Sequence, residues 1–302
     1  MGISLGSNQY GKAEIRVVRI VRDTPRHAIR DLTVSTSLRG DFIDAHVRGN
    51  QADVLPTDTQ KNTAFAYAKT VGVESPEAYA VALGGHFLEA APTATGAQVR
   101  VEESAWDRID LGGRGHDHSF VRRGTETRTT VVTVAGRGDA QRLWVVSGLT
   151  DLVLLKSTGS EFKGFLRDEY TTLEEADDRI MATSLTARWR YGDLSHLDFD
   201  ATYEDVKRVL LAAFAGTYSR ALQETLYVMG RSVLEAYPQI AEVRFSAPNK
   251  HHFEYDLAPF GLENDGEVFI AADRPYGLIE AMVTRDPADD PGDAWLAVPS
   301  FV

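Results

Sequence analysis

No cysteine occurs anywhere in the 302 residues. That absence removes disulfides, thiolate nucleophiles, Fe–S clusters and cysteine-based zinc sites, and it fits a reducing, intracellular setting. Positive charge is also scarce: 44 acidic residues stand against 32 lysines and arginines, for a net charge of −12. Phosphate-backbone binding needs a basic face, and no dense Lys/Arg run supplies one, so nucleic acid is not expected as a partner. One or two local cations still suffice to hold an anionic small molecule. Long apolar runs are missing too. The longest, VLLAAFAG at 209–216, is far too short to span a bilayer. MGISLGSNQYGK at the start lacks the apolar core of a signal peptide, and Gly6 stands where a myristoylation pattern wants Ser or Thr. The final PSFV is not the S-K-L peroxisomal address. These readings together lead us to expect a cytoplasmic protein that neither enters nor anchors to a membrane. The generic catalytic motifs G-x-x-x-x-G-K-[ST], G-x-S-x-G and H-E-x-x-H are absent, and GGRGHDH (112–118) lacks the spacing of a dinucleotide fingerprint. His116 and His118 form an H-x-H pair, but nothing nearby supplies the remaining ligands, so no metal is expected there.

What is present is ordinary for a globular chain: 43% hydrophobic and 25% charged residues, enough for a sizeable core. The length favours two domains, and RGDA (137–140) is a plausible junction, giving 1–138 and 139–302. LTVSTSL (32–38) alternates as a half-buried strand, and AEIRVVRIVRD, AQVRVEESAW and SFVRRGTETRTTVVTVAG read as further strands. Between them SPEAYAVALGGHFLEA (75–90) reads as a helix, with Ser75 as cap and Pro76 in the first turn. The order then repeats. QRLWVVSGLTDLVLLKS and SLTARWRY are extended. Two amphipathic helices follow, with stripes Val206, Val209, Leu210, Ala213, Phe214 and Leu222, Leu226, Met229, Val233. EVRFSAPNKHHFEYDL and EVFIAA close the pattern as strands. Each half therefore reads strand, strand, helices, strand, strand. This predicts an α+β fold of antiparallel sheets with helices on one face. The uncovered face of such a sheet calls for a partner, hence oligomerisation or a barrel closed by several chains.

Three polar stretches admit two readings each. In VLPTDTQKNT (54–63), Thr57 and Gln60 have the spacing of a capping box, yet the hydroxyls and the lysine also suit a reactive site. In LLKSTGSEFKGFLRDEYTTLEEADDR (154–179), Thr172 and Glu175 have capping-box spacing, with Arg179 paired to a carboxylate. The alternative is a ligand site using Phe162 and Arg179. In SAPNKHHFEYD (246–256), a hairpin or bulge explains Pro-Asn. If the strand runs on, Asn249 and His251 share one face as a ligand wall.

The run LVLLKSTGSEFKGFLRDEYTTLEEADDR (152–179) resembles the signature of the cofactor-independent urate oxidase family. YGK (10–12), TDTQKNT (57–63), ALQETLY (221–227), PNKHHF (248–253) and DRPYGLIEA (273–281) resemble further motifs of that family in the same order, and together they span nearly the whole chain. The resemblance implies two tandem tunnelling-fold domains assembling into a multi-chain barrel, as a homotetramer with active sites at subunit interfaces. It implies oxidation of urate by O2 and water to 5-hydroxyisourate and H2O2 in purine degradation, with O2 as co-substrate and neither metal nor cofactor.

Residue by residue, the resemblance makes Arg179 the clamp on the anionic purine, since a planar guanidinium forks onto adjacent acceptors where lysine cannot. Gln223 offers an amide donor and acceptor to the pyrimidine edge, Leu222 adds a main-chain contact, and Phe162 stacks on the ring. Lys12 and Thr57 form a proton relay, in which burial lowers the lysine pKa. His251 orients the lysine or a water, Asn249 holds oxygen or water above the ring, and Asp58 contacts the purine through its backbone N–H. Lys12, Thr57 and Asp58 reach in from the neighbouring subunit. Two positions depart from the family pattern: Pro56, where relatives often have alanine, and Ala247, where a larger apolar residue is common. Two rivals remain. One is a tunnelling-fold enzyme like GTP cyclohydrolase I, which uses cysteine-held zinc and fits a cysteine-free chain poorly. The other is a purine-binding module without catalysis, which turnover separates.

Overall fold

Period-two burial builds the strands. On β2 (Ala28–Gly40), Leu32, Val34, Thr36 and Leu38 are all buried. Ile15 and Val17 on β1 (Gln9–Val21) are buried while Arg16 and Val18 between and beyond them are exposed. The structure, a computed structural model, describes residues 2–296; the C-terminal PSFV, and with it the peroxisomal-address expectation, lies outside the described residues.

The chain forms two compact units. One is built from Met1–Gly148, His196–Asp200 and the residues from Asp290 on; the other from Leu149–Ser195 and Ala201–Asp289. In the first unit β1 and β2 lead into α1 (Ile43–Arg48), α2 (Thr57–Thr70) and α3 (Pro76–Ala90), followed by β3 (Ala94–Asp110) and β4 (Gly115–Ala135). The strands pair antiparallel in the order β1-β2-β3-β4. Helix α2 packs on β1, and α3 on β3 and β4. β5 (Arg142–Lys156) begins in the first unit and ends in the second.

In the second unit β6 (Met181–Tyr191), β7 (Ile240–Glu254) and β8 (Phe269–Thr284) pair antiparallel, with α4 (Phe199–Gly216) and α5 (Leu222–Ala236) between β6 and β7 in the chain. The expected stripe of α5 is buried throughout. On α4, Val206, Leu210 and Phe214 are buried, and Val209 and Ala213 half-buried. Each fully buried aliphatic side chain contributes about 1.5–3 kcal/mol. The sequence pattern of strand, strand, helices, strand, strand is thus present in both units.

The repeat extends to single residues. Helices α3 and α5 both have 15 residues, and each carries a glycine at its ninth position. A Cβ on Gly84 would meet Val134 Cγ2 at 2.9 Å, and one on Gly230 would meet Val283 at 2.5 and 2.7 Å. Both valines stand next to last on their strands. Opposite the helices, Val18 and Ile20 on β1 and Leu278 and Met282 on β8 are exposed. Among the described residues no helix is long and apolar enough to cross a membrane.

Candidate functional site

In the second unit, the loop after β5 is tied to the chain that enters α5. Ser160 bridges Ser219, with Ser219 N donating to Gly159 O at 3.0 Å and Glu161 N to Ser219 O at 2.9 Å. Phe162 and Ala176 exchange backbone bonds of 2.9 and 3.0 Å, and Arg179 N donates to Ser160 O at 2.7 Å. The backbone of this segment is thus committed to bridges, and the helix start expected at Thr172 does not form. Glu175, read as its capping-box partner, instead accepts from Gly164 N at 3.1 Å.

The pairing expected for Arg179 is corrected as well. No carboxylate pairs with it among the described residues. Asp178 accepts from Thr158 Oγ1 at 2.6 Å, and Asp177 is taken by Lys163. The guanidinium carbon lies 5.0 Å from the centre of the Phe162 ring, and Nε is buried without a partner. Burial pulls its pKa below the ordinary arginine value, yet it remains a cation. A half-buried cation with an unmatched donor is costly unless an anion completes it. Phe162 is held flat by Phe165, stacked at 5.1 Å and 12°.

Leu222 opens α5 and is anchored in the core, 2% exposed. The residue before it, Ala221, has no side-chain acceptor, so the first-turn N–H groups are uncapped. Gln223, second in the helix, is exposed, and its amide bonds to no other group among the described residues. An open helix start of this kind favours bound negative charge.

Asn249 and His251 are half-buried on β7. The expectation that strand alternation places them on one face meets a break. Asn249 pairs with Gly277 and His251 with Ala272, so five steps along β8 oppose two along β7. Such a bulge re-aims side chains, and the alternating burial of β7 stops after Ala247. Ala247 itself is fully buried. The His251 imidazole is held below its ordinary pKa by burial first, then by the charges of Arg179 and His252. It is therefore neutral near pH 7, and it lies within the field of Arg179.

In the first unit, Gly11 allows β1 and β2 to close up; a Cβ there would overlap the Thr36 carbonyl oxygen. Lys12 N then donates to Thr36 Oγ1 at 3.2 Å, and Thr36 Oγ1 donates to Gln60 Oε1 at 2.7 Å. A bulge follows between Lys12 and Ile15, with Glu14 in the left-handed region at φ 56°. Lys12 is half-buried within its own chain. Thr57 is the first residue of α2 and not its cap. The cap position is Pro56, and no side chain caps the helix. The capping-box reading of Thr57 and Gln60 therefore fails, because Gln60 is buried and turned onto Thr36. Thr57 is half-buried, and its hydroxyl makes no bond among the described residues. Asp58 exposes its carboxylate, whose pKa is lowered by a hydrogen bond from Lys61 first and by Lys12 as the weakest contribution. The field of Lys12 thus reaches the first turn of α2.

Six of the expected site residues, Phe162, Arg179, Leu222, Gln223, Asn249 and His251, belong to the second unit, and Lys12, Thr57 and Asp58 to the first. Sequence reasoning missed Thr36 and the true role of Gln60. His116 and His118 touch each other, rings 4.5 Å apart, and no group among the described residues is arranged to hold a metal.

The family model described as Uricase matches residues 8–133 and 145–280. The chain is 50% identical over 299 residues to the uricase of Arthrobacter globiformis, covering 99% of this chain and 96% of that one. It is 38% identical to the uricase of Dictyostelium discoideum, covering 93% and 98%. The crystal structure of the Arthrobacter globiformis uricase superposes with a TM-score of 0.90 over 96% of this chain and 99% of that one, at 50% identity. That of the Bacillus fastidious uricase, 24% identical and covering 94% and 95%, matches in fold with a TM-score of 0.83.

Proposed function

The chain belongs to the uricase family, an oxidoreductase family of tandem antiparallel repeats, and from that premise we propose that it oxidises urate. The reaction is urate + O2 + H2O → 5-hydroxyisourate + H2O2: two electrons pass from urate to O2, and water supplies the hydroxyl oxygen. In this reading the substrate itself is the reductant, so the chain works without metal or cofactor, within purine degradation.

One observation carries the proposal: Arg179 stands over Phe162 with a buried Nε that nothing among the described residues satisfies. A flat anion that stacks on Phe162 and accepts from the guanidinium fork completes both. Gln223 offers its free amide to the pyrimidine edge, and Leu222 its main chain. Asn249 holds O2 or water above the ring. Thr57 and Lys12 pass the proton, with His251, neutral at pH 7, orienting the lysine or a water. The Asp58 N–H, at the uncapped start of α2, contacts the purine. These roles imply that the two groups of residues meet across subunits in a homotetramer. The exposed apolar residues on the uncovered sheet faces support such assembly. Two domains at 1–138 and 139–302, and a cytoplasmic location, belong to the same proposal.

Loss of urate absorbance in air, with H2O2 formed one for one and EDTA as control, tests the reading. Turnover unchanged by EDTA is the expected outcome. Urate binding without turnover would assign the chain as a purine-binding module.

A further inference from the structure

The two repeats align by register. Glu77, second in α3, lies seven residues before Gly84, and Gln223, second in α5, lies seven before Gly230. Arg128 lies six residues before Val134 and pairs across the sheet with Glu103; Gly277 lies six before Val283 and pairs with Asn249. The trio Glu77, Glu103 and Arg128 of the first unit therefore corresponds to Gln223, Asn249 and Gly277 of the second.

In the first unit these side chains fill the space they enclose. Arg128 reaches Glu77 at 2.7 Å and Glu103 at 3.5 Å, and Glu77 also accepts from Thr130 at 2.8 Å and Ser147 at 2.6 Å. In the second unit the place of the arginine is taken by a glycine. A Cβ on Gly277 would meet nothing within 4 Å among the described residues, and its backbone is outside the left-handed region. The amide of Asn249, paired with it across the sheet, and that of Gln223, at the position matching Glu77, have no bonded partner among the described residues. Among the described residues, neither a close neighbour nor a positive φ accounts for a glycine here.

We propose that Gly277 is a specificity-determining residue: by lacking a side chain it keeps open, next to the Asn249 and Gln223 amides, the room that a flat two-ring heterocycle occupies. The inference rests on the urate reading of the same site. A side chain at 277 would project from the face that carries Asn249, because directly paired residues of a sheet point the same way.

Gly277→Ala and Gly277→Val test it by urate kinetics and thermal unfolding. Alanine is expected to raise KM about tenfold and valine further, in line with what one or a few methyl groups are worth in a fitted pocket. Tm should hold within about 2 °C for alanine, whose Cβ meets nothing within 4 Å among the described residues, and for valine should not fall as KM rises. A valine variant with KM within twofold of the parent overturns the proposal. So does a Tm that falls in step with the rise in KM, which marks a packing role. If the valine variant does not fold, the alanine variant decides by the same two readouts. If the parent itself fails to oxidise urate, the functional reading fails, and calorimetric urate binding to parent and variants still tests the inference.

Discussion

Helix α3 starts with a serine cap and a buried glutamate; helix α5, its counterpart, starts with an alanine and an exposed glutamine. Ser75 accepts from Ala78 N at 3.1 Å, and Glu77 is closed off by Arg128, Thr130 and Ser147. Ala221 caps nothing, and Gln223 bonds to nothing among the described residues. The two helices have the same length, the same glycine and the same facing valine. What differs is who satisfies the polar groups. Polar groups that leave bulk water need partners; in the first unit the chain supplies them, and in the second the proposed function assigns them to urate. In that reading one repeat serves as scaffold and the other as receptor.

The largest effect expected from breaking this contrast is on stability, in the first unit. Arg128→Met strands Glu77 in the core and should cost about 3–5 kcal/mol in urea unfolding, with Glu77→Gln added to it recovering much of the loss. The matching change in the second unit should act on binding. Arg179→Lys removes the fork and should raise KM about a hundredfold, with Tm nearly unmoved. If it lowered Tm as Arg128→Met does, the two arginines would share one role and the contrast would fall.

The shared glycines give a smaller, graded effect. Gly230→Ala should cost about 1–3 kcal/mol by overpacking against Val283 and Phe245, and Gly84→Ala less, because Val134 has more room to give. Smaller again, Ala221→Ser should stabilise α5 by about 0.5–1 kcal/mol in thermal unfolding while weakening urate binding, since the new cap competes for the open N–H groups. The pH effect is expected to be the least. The folded His251 pKa lies below its unfolded value, so its contribution to stability is present above the unfolded pKa of about 6.5 and lost as pH falls through the folded one. Imidazole NMR titration of His251 gives the direction, and a midpoint above about 6.5 would reverse it.

Most of the fold was readable from periodicity. Leu32, Val34, Thr36 and Leu38 lie buried on one strand as their alternation implies, and the stripe of α5 is buried as spaced. The Ser75 cap formed as read. Two capping boxes did not, for a common reason. Spacing places a side chain near a helix start but does not say where it turns. Gln60 on α2 found Thr36 on β2, and Glu175 found Gly164 in a loop whose backbone was already bonded. The bulges beside Lys12 and Asn249 have no local signature, since no glycine marks Glu14 and the extra residues opposite Asn249 lie on β8. The Glu77–Arg128 pair joins residues 51 apart and is invisible without the pairing of β3 and β4. For the candidate site, local pattern supplied residue types, while family resemblance supplied the roles.

The lone guanidinium at 179 also bears on how long the protein survives in a cell. Anything that binds only the folded form stabilises it, by about 2.7 kcal/mol at a hundredfold excess over Kd. A ligand that binds Arg179 in the folded form would thus lower the share of unfolded chains open to proteases. The protein's abundance should therefore rise and fall with the supply of the small anion it destroys: a starved culture clears the protein faster than a fed one at equal rates of synthesis.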